Sequence, residues 1–144
     1  MQVKDIMTQP AISIGAGESA EVAARTLAHY NIGILPVCDA GGKLCGLVTD
    51  RDLVTRCMAS GRAPSQTCVS EVMTSTMVTA APDMTAGVAA KLMGAKQIRR
   101  LPVTREGKLV GMVSLGDLAK RSESAENAAG ALSKISSNPG NFDD

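Results

Sequence analysis

The chain has 144 residues, 15 Lys or Arg against 14 Asp or Glu, one Tyr, one Phe and no Trp. At that length it can bury one ordinary core or two small half-cores, which with so few aromatics must be built from Val, Ile, Leu, Met and Ala. The same scarcity argues against single-stranded nucleic acid, whose binding leans on aromatic stacking, and no apolar run approaches the roughly 18 residues that span a bilayer.

Charge is uneven along the sequence. Residues 1–68 hold six basic and six acidic side chains, residues 69–121 eight and four, and residues 122–144 one and four. A locally basic middle segment without a long Lys/Arg stripe suits a small anion better than a DNA duplex. The N-terminus Met1-Gln2-Val3-Lys4-Asp5 leads into the first motif without a signal-peptide core, so a cytoplasmic protein is expected. Four cysteines, Cys38, Cys45, Cys57 and Cys68, contain no Cys-x-x-Cys pair and have only His29 as a nitrogen partner, which argues against a structural zinc site. Cys38 and Cys45 flank one turn and could approach each other on oxidation.

In chain order, a short amphipathic start, Val3 to Thr8, is followed by a brief strand at Ile12-Ser13-Ile14. Ser19 then caps a helix whose apolar face is read from Val22, Ala23, Leu27 and Tyr30. A strand ending Leu35-Pro36-Val37, a turn at Gly41-Gly42 and a strand over Leu44 to Val48 form an expected antiparallel hairpin. A second helix runs from Asp50 to about Met58. All of this then recurs: Val69 to Thr74, Val78-Thr79, a Thr85-capped helix with Val88, Ala89, Leu92 and Met93 facing inward, Leu101-Pro102-Val103, a turn at Gly107, a strand over Leu109 to Val113, and a helix from Leu115 to about Arg121. Two copies of one β-α-β-β-α unit are therefore expected, an α/β (α+β) fold with repeats at 1–62 and 69–121, a linker at 63–68 and a partly disordered tail at 122–144, in which Ala125 to Ile135 could form a weak helix.

Two constellations carry chemistry. Thr49-Asp50-Arg51-Asp52 and Ser114-Leu115-Gly116-Asp117 stand where an apolar strand gives way to a helix. Their spacing fits a helix capping box, with Asp in the place of Glu or Gln. It also fits a nucleotide site, in which backbone N–H groups and a hydroxyl meet phosphate while the carboxylate accepts from ribose hydroxyls. The second constellation sets Asn31-Ile32-Gly33-Ile34-Leu35-Pro36 against Gln97-Ile98-Arg99-Arg100-Leu101-Pro102. A proline at a strand position favours an edge or a local break and leaves neighbouring backbone groups free for a purine. Arg99 and Arg100 offer forked donors to phosphate. The first copy has Gly33 and Ile34 there, with Arg51 and Lys43 as its nearby cations, so two nucleotide sites would not be equivalent.

These doubled motifs, with the Asp5-Ile6-Met7-Thr8 and Glu71-Val72-Met73-Thr74 openings, resemble a tandem pair of CBS (cystathionine β-synthase type) domains, a Bateman module, over residues 3 to about 121. The chain is similar to small stand-alone bacterial CBS-pair signalling proteins. The resemblance implies pseudo-twofold packing and a noncatalytic sensor that binds adenine nucleotides or related adenosyl ligands in the cleft between repeats and signals through homodimer or partner rearrangement. No cofactor is required; the regulatory ligand is AMP, ADP or ATP, alternatively S-adenosylmethionine or NAD. Asp52 and Asp117 would hold ribose hydroxyls, Thr49 and Ser114 would lie near ribose or phosphate, and Arg99 and Arg100 would meet phosphate. The openings Thr8 to Ile12 and Thr74 to Val78, with Ile34 and Leu101, would wall the adenine. An unknown protein effector is expected, with no nucleic acid and no membrane. No catalytic loop or metal motif stands out, so the chain reads as no enzyme. A ligand-free dimerisation module with purely structural capping boxes is the alternative, and a thiol or metal responder through Cys38 and Cys45 is the third.

Overall fold

The first eleven residues do not stay with the repeat they open. In the computed structural model, which describes residues 1–120 together with Gly130, Ala131 and Ile135, Met1–Ala11 pack with Val78–Glu106 and with 110–120. Ile12–Met77 form a second unit that also takes in Gly107–Leu109. Each unit thus contains the body of one sequence repeat and the opening motif of the other.

The first-repeat unit is built on β1 (Ile14–Gly15), β2 (Ile34–Cys38) and β3 (Leu44–Thr49), in the order β1-β2-β3. β1 runs parallel to β2, and β2 pairs antiparallel with β3 from Ile34↔Thr49 to Cys38↔Leu44. The register shift after Val37 leaves Cys45 as the extra residue of a bulge. The hairpin turn is closed by Asp39, whose Oδ1 accepts from the Gly41 and Lys43 amides at 2.9 Å each, with Gly42 at φ 85°.

Pro36 was expected at an edge or a break, yet β2 is the central strand. The pairing on either side explains why it is tolerated. Leu47, opposite Pro36, gives both its amide and its carbonyl to Thr74 (2.9 and 2.8 Å). The Pro36–Leu47 pair is therefore a non-hydrogen-bonded one, and the missing N–H falls on the β1 side, where pairing begins only at Val37.

Ser19 caps α1 (Ala20–Tyr30) by accepting from the Val22 amide at 3.1 Å, and Asn31 ends it at φ 53°. Ala20, Ala23 and Leu27 form its buried stripe. Val22 and Tyr30, read as inward, are instead 39 and 50% exposed. Val22 lies on the far side of the helix from that stripe. Tyr30 sits in the last turn, edge-on to the exposed His29 ring. The chain continues through α2 (Asp50–Asp52), whose helix goes on as π turns over Leu53–Met58, a 3-10 turn at Pro64–Gln66, and α3 (Val69–Val72). Leu35, Val37, Val48, Val69 and Val72 are the fully buried centre.

The second-repeat unit holds a 3-10 turn at Val3–Asp5, α4 (Ala86–Lys96), β4 (Arg100–Arg105), β5 (Lys108–Ser114) and α5 (Leu115–Ala119). Thr85 caps α4, and Gln97 closes it at φ 56°. As with Val22, Val88 faces out at 50% exposure while Ala86, Ala89, Ala90 and Met93 are buried. The strand expected at Val78-Thr79 is reduced to one parallel bridge, Ala80↔Val103. In the first repeat the pairing extends to Ala16, whose amide donates to Cys38; the corresponding residue here is Pro82, which has no N–H to give. Of the tail, Gly130, Ala131 and Ile135 are helical, and Ala131 and Ile135 are buried in this unit's core. The disorder expected elsewhere in 122–144, and the remainder of the helix expected from Ala125, lie outside the described residues.

Candidate functional site

Both Ser/Thr-x-x-Asp boxes close as helix caps. At the start of α2, the Thr49 amide donates to Asp52 Oδ2 and the Asp52 amide to Thr49 Oγ1, each at 3.0 Å. At the start of α5, the Ser114 amide donates to Asp117 Oδ2 (2.8 Å) and the Asp117 amide to Ser114 Oγ (3.0 Å). Each box satisfies two helix-end donors reciprocally and is worth about 1 kcal/mol. A carboxylate can accept at two oxygens with two lone pairs each, so capping leaves acceptor capacity in both.

Asp117 Oδ1 has no partner among the described residues, whereas Asp52 Oδ1 lies 3.8 Å from Arg56 Nε. Each box is tied to the strand entry beside it by one backbone bond, Asp50 N–H to Gly33 O at 3.1 Å and Leu115 N–H to Arg99 O at 2.8 Å. That bond holds the Arg99-Arg100 pair next to the Asp117 box, and only Gly33-Ile34 next to the Asp52 box. Arg99 is exposed and Arg100 half-buried, and neither they nor the exposed Arg51 form a salt bridge among the described residues.

Of the residues assigned to a ligand from sequence, the first-repeat unit brings together Ile12, Ile34, Pro36, Thr49, Arg51, Asp52 and Thr74. The second-repeat unit brings together Thr8, Val78, Arg99, Arg100, Leu101, Pro102, Ser114 and Asp117. The opening threonines have therefore changed places: Thr74 bonds to Leu47 on β3, and Thr8 exchanges bonds of 2.7 and 3.0 Å with Met112 on β5. Ile12, Ile34 and Val78 are half-buried. Pro36, Leu101 and Pro102 are buried, Leu101 within the second-repeat core.

Arg56 was missed by sequence reasoning. Its Nη1 donates to the Met73 carbonyl at 3.0 Å and the Val72 carbonyl at 3.4 Å, besides the ion pair with Asp52. The available signal was its spacing four residues after Asp52 on a helix, repeated in sequence by Arg121 after Asp117.

A cavity of about 680 Å³ in the second-repeat unit is lined by Lys4, Asp5, Met7, Gln9, Pro10, Arg105 and Val110. Of these, only Gln9 and Pro10 fall within the opening expected against an adenine. Burial pushes the Cys38 thiol above its ordinary value, with nearby Cys45 and Asp39 acting the same way, and Cys45 is raised by burial and by Asp39. Among the described residues no three His, Cys, Asp or Glu side chains gather to hold a metal.

The repeated unit is that of a CBS domain: the family model matches twice, at residues 3–59 and 69–124. The chain belongs to the CBS-domain family, as a CBS pair. It is 42% identical over 134 residues to the CBS domain-containing protein YhcV of Bacillus subtilis, covering 93% of this chain and 94% of that protein. Among solved structures it resembles Hypoxic Response Protein I with two coordinated zinc ions (TM-score 0.77, 30% identity, covering 84% of this chain and 98% of that one). The CBS pair of MJ0100 with 5'-methylthioadenosine and S-adenosyl-L-methionine superposes with a TM-score of 0.73 at 30% identity, over 83% of this chain and 94% of that one. CBSX2 in complex with AMP does so at 0.74 and 26%, over 87% and 98%. No described helix is long and apolar enough to cross a membrane.

Proposed function

We propose that this CBS pair is a noncatalytic regulatory module that binds an adenine nucleotide or related adenosyl ligand at its Ser/Thr-x-x-Asp boxes and signals through rearrangement of a homodimer or a protein partner in the cytoplasm. The observation that carries the reading is the Asp117 box: a half-buried carboxylate held by a backbone bond beside Arg99 and Arg100, with no partner among the described residues for its second oxygen or for the two guanidiniums. That combination offers an acceptor for ribose hydroxyls and forked donors for phosphate. The adenosyl ligands held by the CBS pairs of MJ0100 and CBSX2 support the same class. The Asp52 box, flanked by Gly33-Ile34 in place of the two arginines, is the weaker site.

Calorimetric titration with AMP, ADP, ATP, S-adenosylmethionine and NAD tests this, after any co-purified nucleotide has been removed. Loss of the tighter phase of binding in Asp117→Ala or Arg100→Ala, with a weaker phase left that Asp52→Ala removes, is the expected result. Equal losses from both Asp substitutions contradict the asymmetry. Silence across the panel moves the reading to a ligand-free dimerisation module, which the full closure of both boxes as helix caps also suits. The thiol reading has less support, because raised thiol pKa values hold Cys38 and Cys45 in the less reactive protonated form.

A further inference from the structure

We propose that Arg56 is the positioning residue of the Asp52 site, a clasp that fixes the carboxylate for ribose by tying it to the end of α3. This inference rests on the adenosyl reading above and goes on to say how its weaker site is held. The guanidinium spans two groups: Nε faces Asp52 Oδ1 at 3.8 Å, and Nη1 donates to the Met73 and Val72 carbonyls at 3.0 and 3.4 Å. These carbonyls lie where α3 ends, among the acceptors a short helix leaves without internal partners, and a guanidinium satisfies them while opposing the partial negative charge there.

Asp52 is held from two directions. The Thr49 amide fixes Oδ2 and the Arg56 charge faces Oδ1, so the carboxylate plane is oriented with Oδ1 still able to accept. The side chain is only 13% exposed, against 50% for Arg56, so the carboxylate sits inside and its cation toward solvent.

The backbone carrying Arg56 is itself unusual. Directly after Asp52 the helix widens into π turns over Leu53–Met58, and the Ala59 amide bonds five residues back to Val54 at 2.8 Å. Such turns are rare and concentrate at functional sites. The clasp also ends on a segment with other duties: Met73 packs over Gly46, and Thr74 pairs with Leu47. Arg56 therefore links the ribose acceptor to the segment that completes the sheet of its own unit.

The test compares ATP with 2',3'-dideoxy-ATP, and AMP with 2',3'-dideoxy-AMP, by calorimetry in the Asp117→Ala background, where the Asp52 site is read alone. The two hydroxyls are expected to improve binding roughly 10-fold or more, as hydrogen bonds to a charged group do. In Arg56→Ala that ratio should fall toward one while affinity for the dideoxy ligands stays within about threefold. Arg56→Lys, which keeps the charge without the fork, should restore part of the ratio and keeps the test open if the alanine variant folds poorly. A purely structural role for Arg56 lowers both affinities together and leaves the ratio intact, which overturns the clasp. Binding in wild type with none in Asp117→Ala also overturns it and spares the adenosyl reading, whereas silence in every protein overturns both.

Discussion

The sulfur of Met73 occupies the space that a side chain on Gly46 would need. A Cβ built on Gly46 would lie 2.6 Å from Met73 Sδ and 2.9 Å from the Thr74 carbonyl, and the second-repeat unit repeats the arrangement with Gly111, Met7 Sδ at 2.7 Å and Thr8 O at 2.9 Å. The glycine of each Gly-hydrophobic-hydrophobic motif is thus the seat of the methionine from an opening motif. Gly46→Ala and Gly111→Ala should each cost about 1–3 kcal/mol, the range for overpacking, measured as a fall in urea midpoint. In a Met73→Ala background the cost of Gly46→Ala should shrink without vanishing, because the backbone carbonyl of Thr74 stays in place.

The capping boxes predict a stability effect separable from binding. Thr49→Ala and Ser114→Ala each remove a side-chain acceptor for a helix-end amide, so each should destabilise by about 1 kcal/mol in urea unfolding. If Ser114 only caps, nucleotide affinity should survive the substitution unchanged; if it also lies near ribose or phosphate, affinity should fall with it.

The thiols predict a pH effect of definite sign. Cys38 and Cys45 are acids held above their ordinary value by burial first and neighbouring groups second. The folded state therefore keeps its protons longer than the unfolded state, and stability should decline as pH rises past the unfolded thiol value of about 8.5. Cys38→Ala should flatten that decline. Under a limiting alkylating reagent near neutral pH, mass spectrometry should find exposed Cys68 modified well before Cys38 or Cys45.

Glu71 predicts the opposite end of the scale. Its carboxylate accepts from the Cys68 amide at 2.7 Å and pairs with Arg62, and the backbone bond first, then the guanidinium, holds it below the usual range. The stability it supplies is complete above the unfolded carboxylate value and is lost as pH falls through the folded one. Acid unfolding of Glu71→Gln should be shallower over that interval, and in Arg62→Ala most of the difference should remain because the Cys68 bond is untouched.

What could be read from the sequence was local or doubled. The hairpins, the Ser19 and Thr85 caps and both Asp boxes follow from short-range chemistry, and recurrence in the same order distinguished them from chance. The exchange of the openings was not legible, because Val3 to Thr8 and Val69 to Thr74 carry the same pattern and periodicity cannot say which copy of a glycine each methionine covers. Val22 and Val88 were misread because hydrophobicity alone was taken as the inward face, although alanines one position away formed the tighter stripe. Pro36 in a central strand required knowing that pairing with β1 begins only at Val37 and that Leu47 turns its polar groups toward Thr74.

The exchanged openings also set an order of events in time. The first-repeat unit lacks a packing partner for Gly46 until residues 69–77 exist, so more than half the chain must be synthesised before that unit is complete. Residues 1–11 dock against β5, about a hundred positions downstream, which gives the second-repeat unit contacts of long sequence separation and a correspondingly slow closure. Cut at the repeat boundary, each fragment would carry the segment its counterpart needs and lack its own. Residues 1–11 therefore leave the ribosome well before the strand they dock on.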